Sequence, residues 1–350
     1  MTKYVAVFIL CVIMCAAAGA HAQQNPEDDF QALHVRGPIY MIAGAGGNIT
    51  VSVGLDGVLL VDSGGAQMTD KVLAEIRRLQ REVGLRYEQT LAFGAETRST
   101  LEAERAAPAP PKPIRFVINT SDDPDHYGGN EQIAKQGRTI TGGNVAGDLR
   151  GVAESAAIYS HENAQLRMAG AETAPAVPSG MWPTDTYHTE YYKLSSYFNG
   201  EGIQLMHAPA AHTNGDTWVW FRGSDVISTG DFFDLDHYPV IDLKRGGSIQ
   251  GVLDALNAVL DVAFAEVRSE GGTMIVPGHG RLGDMSDVGY YRDALTIIRD
   301  RVQDLIKKGR TLEQVKAAKP SLDYDVRYGS PAGPWSTEMF IEAVYRTLKP

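Results

Sequence analysis

The chain has 350 residues, and 43% of them are hydrophobic, which is enough to bury a large core in an α/β fold of one domain. Its formal net charge is −11. An acidic surface repels phosphates, so no nucleic-acid partner is expected.

The N-terminus has the order of a secretory signal peptide: a basic start, an apolar run over residues 4–18 and small residues before the expected cleavage site after Ala22. Residues 1–22 are therefore predicted to be removed, and the mature protein to be exported to the periplasm without stable membrane insertion. An uncleaved anchor is the alternative, although the run is short for a membrane span. Because Cys11 and Cys15 both lie in this segment, the mature protein should contain neither disulfides nor thiolate ligands.

The first half of the mature chain reads as short apolar strands separated by glycine turns. The predicted elements are strands at 39–43, 47–53, 57–62 and 113–118, and a helix at 69–79 that ends by Gly84. A Pro-rich stretch at 86–112 is interpreted as a surface insertion. The loop that begins at Asn119 then follows a buried strand, which is where open α/β sheets bind ligands.

The second half predicts another strand-and-helix unit and a helical tail. An irregular segment at 141–155 is interpreted as a second insertion, and 171–186 as a Pro/Gly-rich loop. The predicted strands are 158–160, 203–207, 217–221, 225–229 and 273–276, and the predicted helices are 161–168 and 248–264. The tail from 286 to 349 is expected to be mostly helical, with a break at 329–334.

Four loops that follow apolar strands carry potential metal ligands. The first offers Ser121, Asp123, Asp125 and His126, and the other three offer His212, Asp231 and His279. Imidazole nitrogens and carboxylate oxygens suit zinc, and also iron or manganese. Five other histidines, namely His34, His161, His188, His207 and His237, are interpreted as structural or exposed, and Asp122 as solvated.

These loops resemble, in order and spacing, five motifs of the metallo-β-lactamase superfamily. Asn-Thr-Ser-Asp-Asp-Pro-Asp-His-Tyr-Gly-Gly-Asn at 119–130 resembles the family's Asn-Thr-His-x-His-x-Asp-His-x-Gly-Gly-Asn loop. The other motifs are Val-Asp-Ser-Gly at 61–64, His-Thr-Asn-Gly-Asp at 212–216, Thr-Gly-Asp at 229–231 and Pro-Gly-His-Gly at 277–280. The resemblance covers about residues 35–285. It implies a four-layer αβ/βα sandwich with a metal site along one edge, on which a helical extension at 286–350 would pack.

The resemblance also implies two metal positions. His212 would serve the first position, whereas Asp125, His126 and His279 would serve the second. Asp231 could bridge the two. One further residue of the family pattern, Asp62, would hydrogen-bond to the ligand loop and stiffen it.

Two positions depart from the family pattern, because Ser121 and Asp123 stand where the family has histidines. Serine is a poor ligand and is expected to hold a water or orient a neighbour, while Asp123 is an oxygen ligand of shorter reach. The first position would then consist of Asp123, His212 and the shared Asp231. We expect a tightly held metal at the second position and a weaker, harder or absent one at the first. Zinc is the first choice, with iron or manganese as alternatives.

A metal with an open coordination position lowers the pKa of water from about 15.7 towards about 7, so hydrolysis is the expected chemistry. Asp125 is the candidate catalytic residue, since it would orient the attacking water and help handle its proton. The prediction is a secreted metal-dependent hydrolase of a small molecule, such as a β-lactam, a lactone or another compound with an ester- or amide-type bond. The oligomeric state is not predicted.

Two features bear on the alternatives. Zinc β-lactamases that grip the substrate carboxylate with a lysine carry it shortly after the bridging ligand, but Phe-Phe-Asp at 232–234 follows Asp231. Lys244 and Arg245 lie farther on and could in principle bind an anionic group, but an exposed basic turn is the favoured interpretation. Since a fold does not fix a substrate, β-lactam hydrolysis is not the favoured activity. The second alternative is a non-catalytic domain that binds a metal or a small molecule. The complete ligand set at the second position argues against it.

Overall fold

The structure is a computed structural model that describes residues 30–91, 112–138, 155–170, 176–266 and 271–349. The predicted signal peptide lies outside these residues, as do most of the 86–112 insertion and nearly all of the 141–155 insertion. Within the described part, no helix combines the length and the apolar character needed to cross a membrane.

Thirteen strands of the described chain form two sheets. The first sheet has the order β1 (Gln31–Arg36), β2 (Ile39–Ala45), β3 (Gly47–Gly54), β4 (Gly57–Val61), β5 (Ile114–Ile118), β6 (Ala157–His161) and β7 (Asp185–Tyr187). The second contains β8 (Tyr191–Phe198), β9 (Glu201–Ala208), β10 (Asp216–Phe221), β11 (Val226–Asp234), β12 (Met274–His279) and β13 (Gly283–Asp284), in the order β13-β12-β11-β10-β9-β8. β1 to β4 are antiparallel, β4 to β7 are parallel, and β11 pairs with β12 in parallel.

Helices cover the outer faces of both sheets. They are α1 (Thr69–Leu91), α2 (Pro124–Tyr127), α3 (Asn130–Lys135), α4 (Glu162–Ala169), α5 (Ile249–Val262), α6 (Met285–Lys307), α7 (Leu312–Ala317), α8 (Asp325–Tyr328) and α9 (Thr337–Leu348). Ser248 caps α5 by accepting a hydrogen bond from the backbone N–H of Gly251.

The continuous apolar run of β4 shows how the layers form. All of its residues are buried, and its side chains alternate between two clusters. Val58 and Leu60 pack against α1 on one face, whereas Leu59 and Val61 pack against the second sheet on the other. A strand covered on both faces loses the usual polar alternation.

A third cluster lies between the second sheet and its helices. The order helix, sheet, sheet, helix is therefore the predicted four-layer αβ/βα sandwich, and this fold prediction is confirmed.

The C-terminal helices pack on this third cluster. Phe340 of α9 stacks on Tyr238, with ring centroids 4.4 Å apart and planes 5° from parallel. Val344 is also fully buried there. The helical tail is confirmed, including the break between α8 and α9, although the chain also leaves the helical conformation between α6 and α8.

Several boundaries differ from the prediction. Gly84 does not end α1, which continues to Leu91, because an isolated exposed glycine costs only about 1 kcal/mol in a helix. Residues 86–91 were predicted to begin an insertion, but they form the last turns of α1 because Gly84 does not end the helix. The strands β1, β7, β8 and β13 were not predicted: β1 and β8 have exposed faces and weak apolar patterns, and β7 and β13 have only three and two residues.

Candidate metal centre

The loop after β5 leads into the one-turn helix α2, which carries Asp125 and His126. Pro124 occupies the first turn of this helix, where its missing N–H costs nothing. The two glycines that follow allow close packing: a Cβ on Gly128 would lie 2.5 Å from the carbonyl oxygen of Pro124, and one on Gly129 2.5 Å from that of Ser63. The two glycines of Pro-Asp-His-Tyr-Gly-Gly thus allow the ligand helix to pack closely against the end of β4.

Asp62, directly after β4, joins that strand to the ligand loop. Its backbone has a φ of 67°, in the left-handed region that aspartate tolerates better than most residues. Its buried carboxylate accepts hydrogen bonds from Thr120 N at 2.8 Å and Thr120 Oγ1 at 2.7 Å. The Nδ1 atom of His126 lies 2.8 Å from Asp62 Oδ2. If Nδ1 donates here, Nε2 of His126 remains as the metal-facing nitrogen.

Asp125, His126 and His279 form the first of two groups in the described chain whose possible ligand atoms all lie within 4.8 Å of one another. His279 Nε2 lies 3.2 Å from Asp125 Oδ2, and His126 Nε2 lies 2.9 Å from Asp231 Oδ1. The side chains of Asp125 and His279 are each 38% exposed, whereas that of His126 is fully buried. The group therefore opens to solvent on the side of Asp125 and His279.

The parallel pair β11 and β12 places Asp231 beside His279. There is no room for a side chain at Gly278, because its Cβ would collide with the Asp231 carboxylate. Asn48 fixes the turn that carries His279 by donating hydrogen bonds to the carbonyl oxygens of Pro277 and Gly280, at 3.0 and 2.9 Å. The close approach of Asp231 explains the first glycine of the Pro-Gly-His-Gly motif, and a φ of 88° at Gly280 explains the second.

The second group consists of Asp123, His212 and Asp231. The Nδ1 atom of His212 lies 2.8 Å from the carbonyl oxygen of Val240, so it donates, and Nε2 faces Asp123 Oδ2 at 2.7 Å. Ser121 is buried and accepts a hydrogen bond from Asp123 N at 3.3 Å, which orients the loop. The structure brings together all six residues predicted as metal ligands, and Asp62 and Ser121 lie next to them.

Arg245 was predicted to lie in an exposed basic turn, and this was wrong. Its Nη2 atom lies 2.8 Å from Asp123 Oδ1 and 3.3 Å from His212 Nε2, and its side chain is only 22% exposed. A salt bridge to Asp242, at 2.7 Å, folds the side chain back into the site. Arg245 follows the bridging Asp231 by fourteen residues in the sequence, yet it lies next to the candidate ligands Asp123 and His212.

Asp122 was predicted to be solvated, and this was also wrong. Its side chain is 5% exposed and forms two hydrogen bonds with Arg167, at 2.6 and 2.8 Å. Arg167 also donates to Thr213 Oγ1 at 3.1 Å, in the loop of His212. This arginine therefore connects α4 to two of the loops that build the site.

Burial and charge act in opposite directions on the site's pKa values. Burial alone would lower the pKa of His212, but the hydrogen bond that its ring donates to Asp123, together with nearby carboxylates, raises it to about 10. Burial would raise the pKa of Asp231, but His126, His212 and His279 lower it to about 2. Burial dominates at Asp216, whose pKa rises to about 6 although Thr213 donates to it. A divalent cation binds carboxylates and neutral imidazoles, so an ion at His212 would have to displace the proton that these carboxylates hold there.

Sequence reasoning missed Arg245, Arg167, Asn48 and the turn formed by Asp216. Asp216 was inside a quoted motif, and its carboxylate accepts from Thr213 N and Oγ1 at 2.8 and 2.6 Å. Arg245 had one local signal, the acidic Asp242 three residues earlier. Neither the motif around Asp216 nor the pair of Asp242 and Arg245 indicates which distant loop these residues contact in the fold.

Comparisons with known proteins agree with this architecture. A family model described as the metallo-β-lactamase superfamily matches residues 43–279. No curated protein matches the chain. Among solved structures, the stereoselective inverting sec-alkylsulfatase Pisa1 from Pseudomonas sp. has a TM-score of 0.57 and 16% identity, over 91% of this chain and 50% of that one. The chain thus spans about half the length of the alkylsulfatase.

Two β-lactamases are also similar in structure. The DIM-1 metallo-β-lactamase has a TM-score of 0.50 and 13% identity, covering 77% of this chain and 97% of that one. The metallo-β-lactamase from Pontibacter korlensis has a TM-score of 0.50 and 14% identity, covering 76% of this chain and 99% of that one. These identities establish likeness of fold alone, while the family model covers more than half of the sequence. The chain belongs to the metallo-β-lactamase superfamily.

Proposed function

We propose that this protein is a metal-dependent hydrolase that cleaves a small molecule at an ester- or amide-type bond by means of a metal-activated water. The observation that carries the proposal is the convergence of Asp125, His126, Asp231 and His279 from three separate segments. Two imidazoles and two carboxylates suit zinc first, with iron or manganese as alternatives.

The donor set fits such an ion. Asp62 holds His126 with Nε2 towards Asp231, and Asn48 holds the turn that carries His279. When bound, the ion would supply Lewis-acid activation that lowers the pKa of water from about 15.7 towards about 7. The family's hydrolases make this chemistry the first hypothesis for the site.

The residues of the site divide the remaining work. Asp125, which is partly exposed, orients the attacking water and accepts its proton at the carboxylate. His279 lies at the same opening, within 3.2 Å of Asp125 Oδ2, and supports that carboxylate. Asp231 and His126 are more buried and keep the donor set in place.

The residues after Asp231 and the similar structures guide the choice of substrates. Phe232 and Phe233, which follow Asp231, are 1% and 0% exposed and belong to the core, so they do not line an entrance. Because the similar structures include a sec-alkylsulfatase and β-lactamases, the substrate screen should contain sulfate esters and β-lactams as well as lactones, thioesters and phosphodiesters.

The decisive experiment combines metal analysis of the purified mature protein with this screen, in the presence and absence of a chelator. His279→Ala should lose bound metal and turnover, whereas His188→Ala, at an exposed histidine, should retain both. Less than about half an equivalent of transition metal, with no chelator-sensitive turnover, would contradict the proposal. Full metal content without turnover would favour the non-catalytic alternative.

We also propose that the mature protein is secreted to the periplasm after removal of residues 1–22. The support is the order of charge, apolar run and small residues at the N-terminus. N-terminal sequencing of protein from the periplasmic fraction should begin at Gln23. Recovery of the protein in the membrane fraction with its N-terminus intact would favour an uncleaved anchor.

A further inference from the structure

The first metal position contains a cation that belongs to the chain itself. The Arg245 guanidinium lies 2.8 Å from Asp123 Oδ1 and 3.3 Å from His212 Nε2. These are two of the three groups that would hold a first ion, and Asp231 is the third. A metal ion there would have to share two of its three donors with a fixed positive charge.

Arg245 is held in this place by its own turn. Its Nε atom donates to Asp242 Oδ2 at 2.7 Å, and Asp242 Oδ1 accepts from the Arg245 backbone N–H at 3.1 Å. Two backbone hydrogen bonds then tie this turn to the loop of the first-position histidine. Asp242 N donates to His212 O at 3.0 Å, and Asn214 N donates to Arg245 O at 2.9 Å.

The close approach of these two loops depends on glycine. Gly246 has a φ of 84°, which favours a residue without a Cβ. A Cβ on Gly247 would collide with the carbonyl oxygen of His212. The guanidinium is therefore positioned by backbone geometry as well as by its salt bridges.

The charges of the two positions are balanced in different ways. At the first position, Asp123 pairs with His212 at 2.7 Å and, in addition, with the Arg245 guanidinium at 2.8 Å. At the second position, the donors pair with one another, Asp125 with His279 and Asp231 with His126. Only at the second position is the set of donors available to a metal without the displacement of an arginine.

We propose that the Arg245 guanidinium takes the place of the first metal ion, so that the protein binds a single metal ion at Asp125, His126, Asp231 and His279. This inference rests on the proposed function, because it takes the second position as the metal site. In this arrangement Asp123 forms an ion pair with Arg245 and does not ligate the metal.

The test is a zinc titration of the metal-free mature protein, followed by calorimetry and by elemental analysis after removal of free ion. The wild type should bind one equivalent. Arg245→Met frees Asp123 and His212, so it should bind a second, weaker equivalent. Arg245→Lys, which keeps the charge, and Lys244→Met, at the exposed neighbouring residue, should each bind one equivalent.

Two equivalents in the wild type would overturn the inference while leaving a metallohydrolase possible. A folded Arg245→Met protein that still binds only one equivalent would also overturn it. If Arg245→Met does not fold, the stoichiometries of the wild type and of Arg245→Lys still test the inference, since two equivalents in either protein would contradict it. One equivalent without turnover in the substrate screen would instead contradict the proposed hydrolase and support this inference. Absence of bound metal would contradict both.

Discussion

Asp62 Oδ2 lies 2.8 Å from His126 Nδ1 in the buried contact between the end of β4 and the ligand helix. Both side chains are almost completely inaccessible, at 3% and 0% exposure. The aspartate also accepts two hydrogen bonds from Thr120, so one carboxylate positions the backbone of the loop and the ring of a candidate ligand together.

Asp62→Asn should weaken metal binding by about 10- to 100-fold, because outer partners of metal-binding histidines have effects of this size. The amide keeps the shape of the side chain but removes the charge that orients His126. The dissociation constant can be measured by competition with a chromogenic chelator. Asp70→Asn, at an exposed position of α1, is the matched control and should leave the constant unchanged. Equal affinities for wild type and Asp62→Asn would show that the bond does not support a metal ligand.

Asp123 and Arg245 should be energetically coupled. A double-mutant cycle of Asp123→Asn and Arg245→Met, measured by urea unfolding, should give a coupling energy of about 1–2 kcal/mol, because the pair is partly buried. Each single change leaves the remaining charge with one opposite partner, His212 for Asp123 and Asp242 for Arg245. Additive single effects would indicate that the ion pair has no role in stability. The Arg78–Glu82 pair on the surface of α1 serves as a reference and should show about 0.5 kcal/mol or less.

Phe340→Ala should lower the free energy of unfolding by about 3–5 kcal/mol, since it removes a fully buried aromatic ring that stacks on Tyr238. The same substitution type at Val326, which is 99% exposed, should change it by no more than about 0.5 kcal/mol. Chemical denaturation of the two variants measures both values. A small effect of Phe340→Ala would mean that α9 contributes little to the stability of the domain.

His161 should make the protein less stable as the pH falls from about 6.5 to about 4. Burial, together with His207, Arg167 and His188, lowers its pKa to about 4. Between pH 6.5 and 4, His161 is therefore protonated in the unfolded chain, where its pKa is near 6.5, but not in the native state. The loss attributable to His161 should reach about 1–3 kcal/mol at the acid end.

His161→Asn tests this pH dependence, because asparagine can still accept the hydrogen bond from Asn163 N that caps α4. The difference in unfolding free energy between variant and wild type should grow in favour of the variant as the pH falls through the window. Parallel curves for the two proteins would exclude His161 as the source. His34→Asn, at an exposed histidine, is the matched control and should follow the wild type.

Much of the fold was predictable because it depends on local patterns. The apolar pattern predicted a strand at 57–62 and a helix at 248–264, and the structure contains both as β4 and α5. Errors occurred where the local signal was weak, as in β1 and β8, or misleading, as at Gly84. A single glycine changes helix stability by too little to decide where a helix ends.

The sequence by itself determined the family resemblance and the six candidate ligands, because these residues recur in motifs that each follow an apolar strand. It could not determine that Arg245 lies against Asp123, or that Arg167 lies against Asp122. Those pairs join loops that are distant along the chain, and their contact depends on how the turn of Asp242 packs on the loop of His212. Charges attract in all directions, so only the tertiary structure decides which arginine neutralises which carboxylate, and through this how many donors remain for a metal.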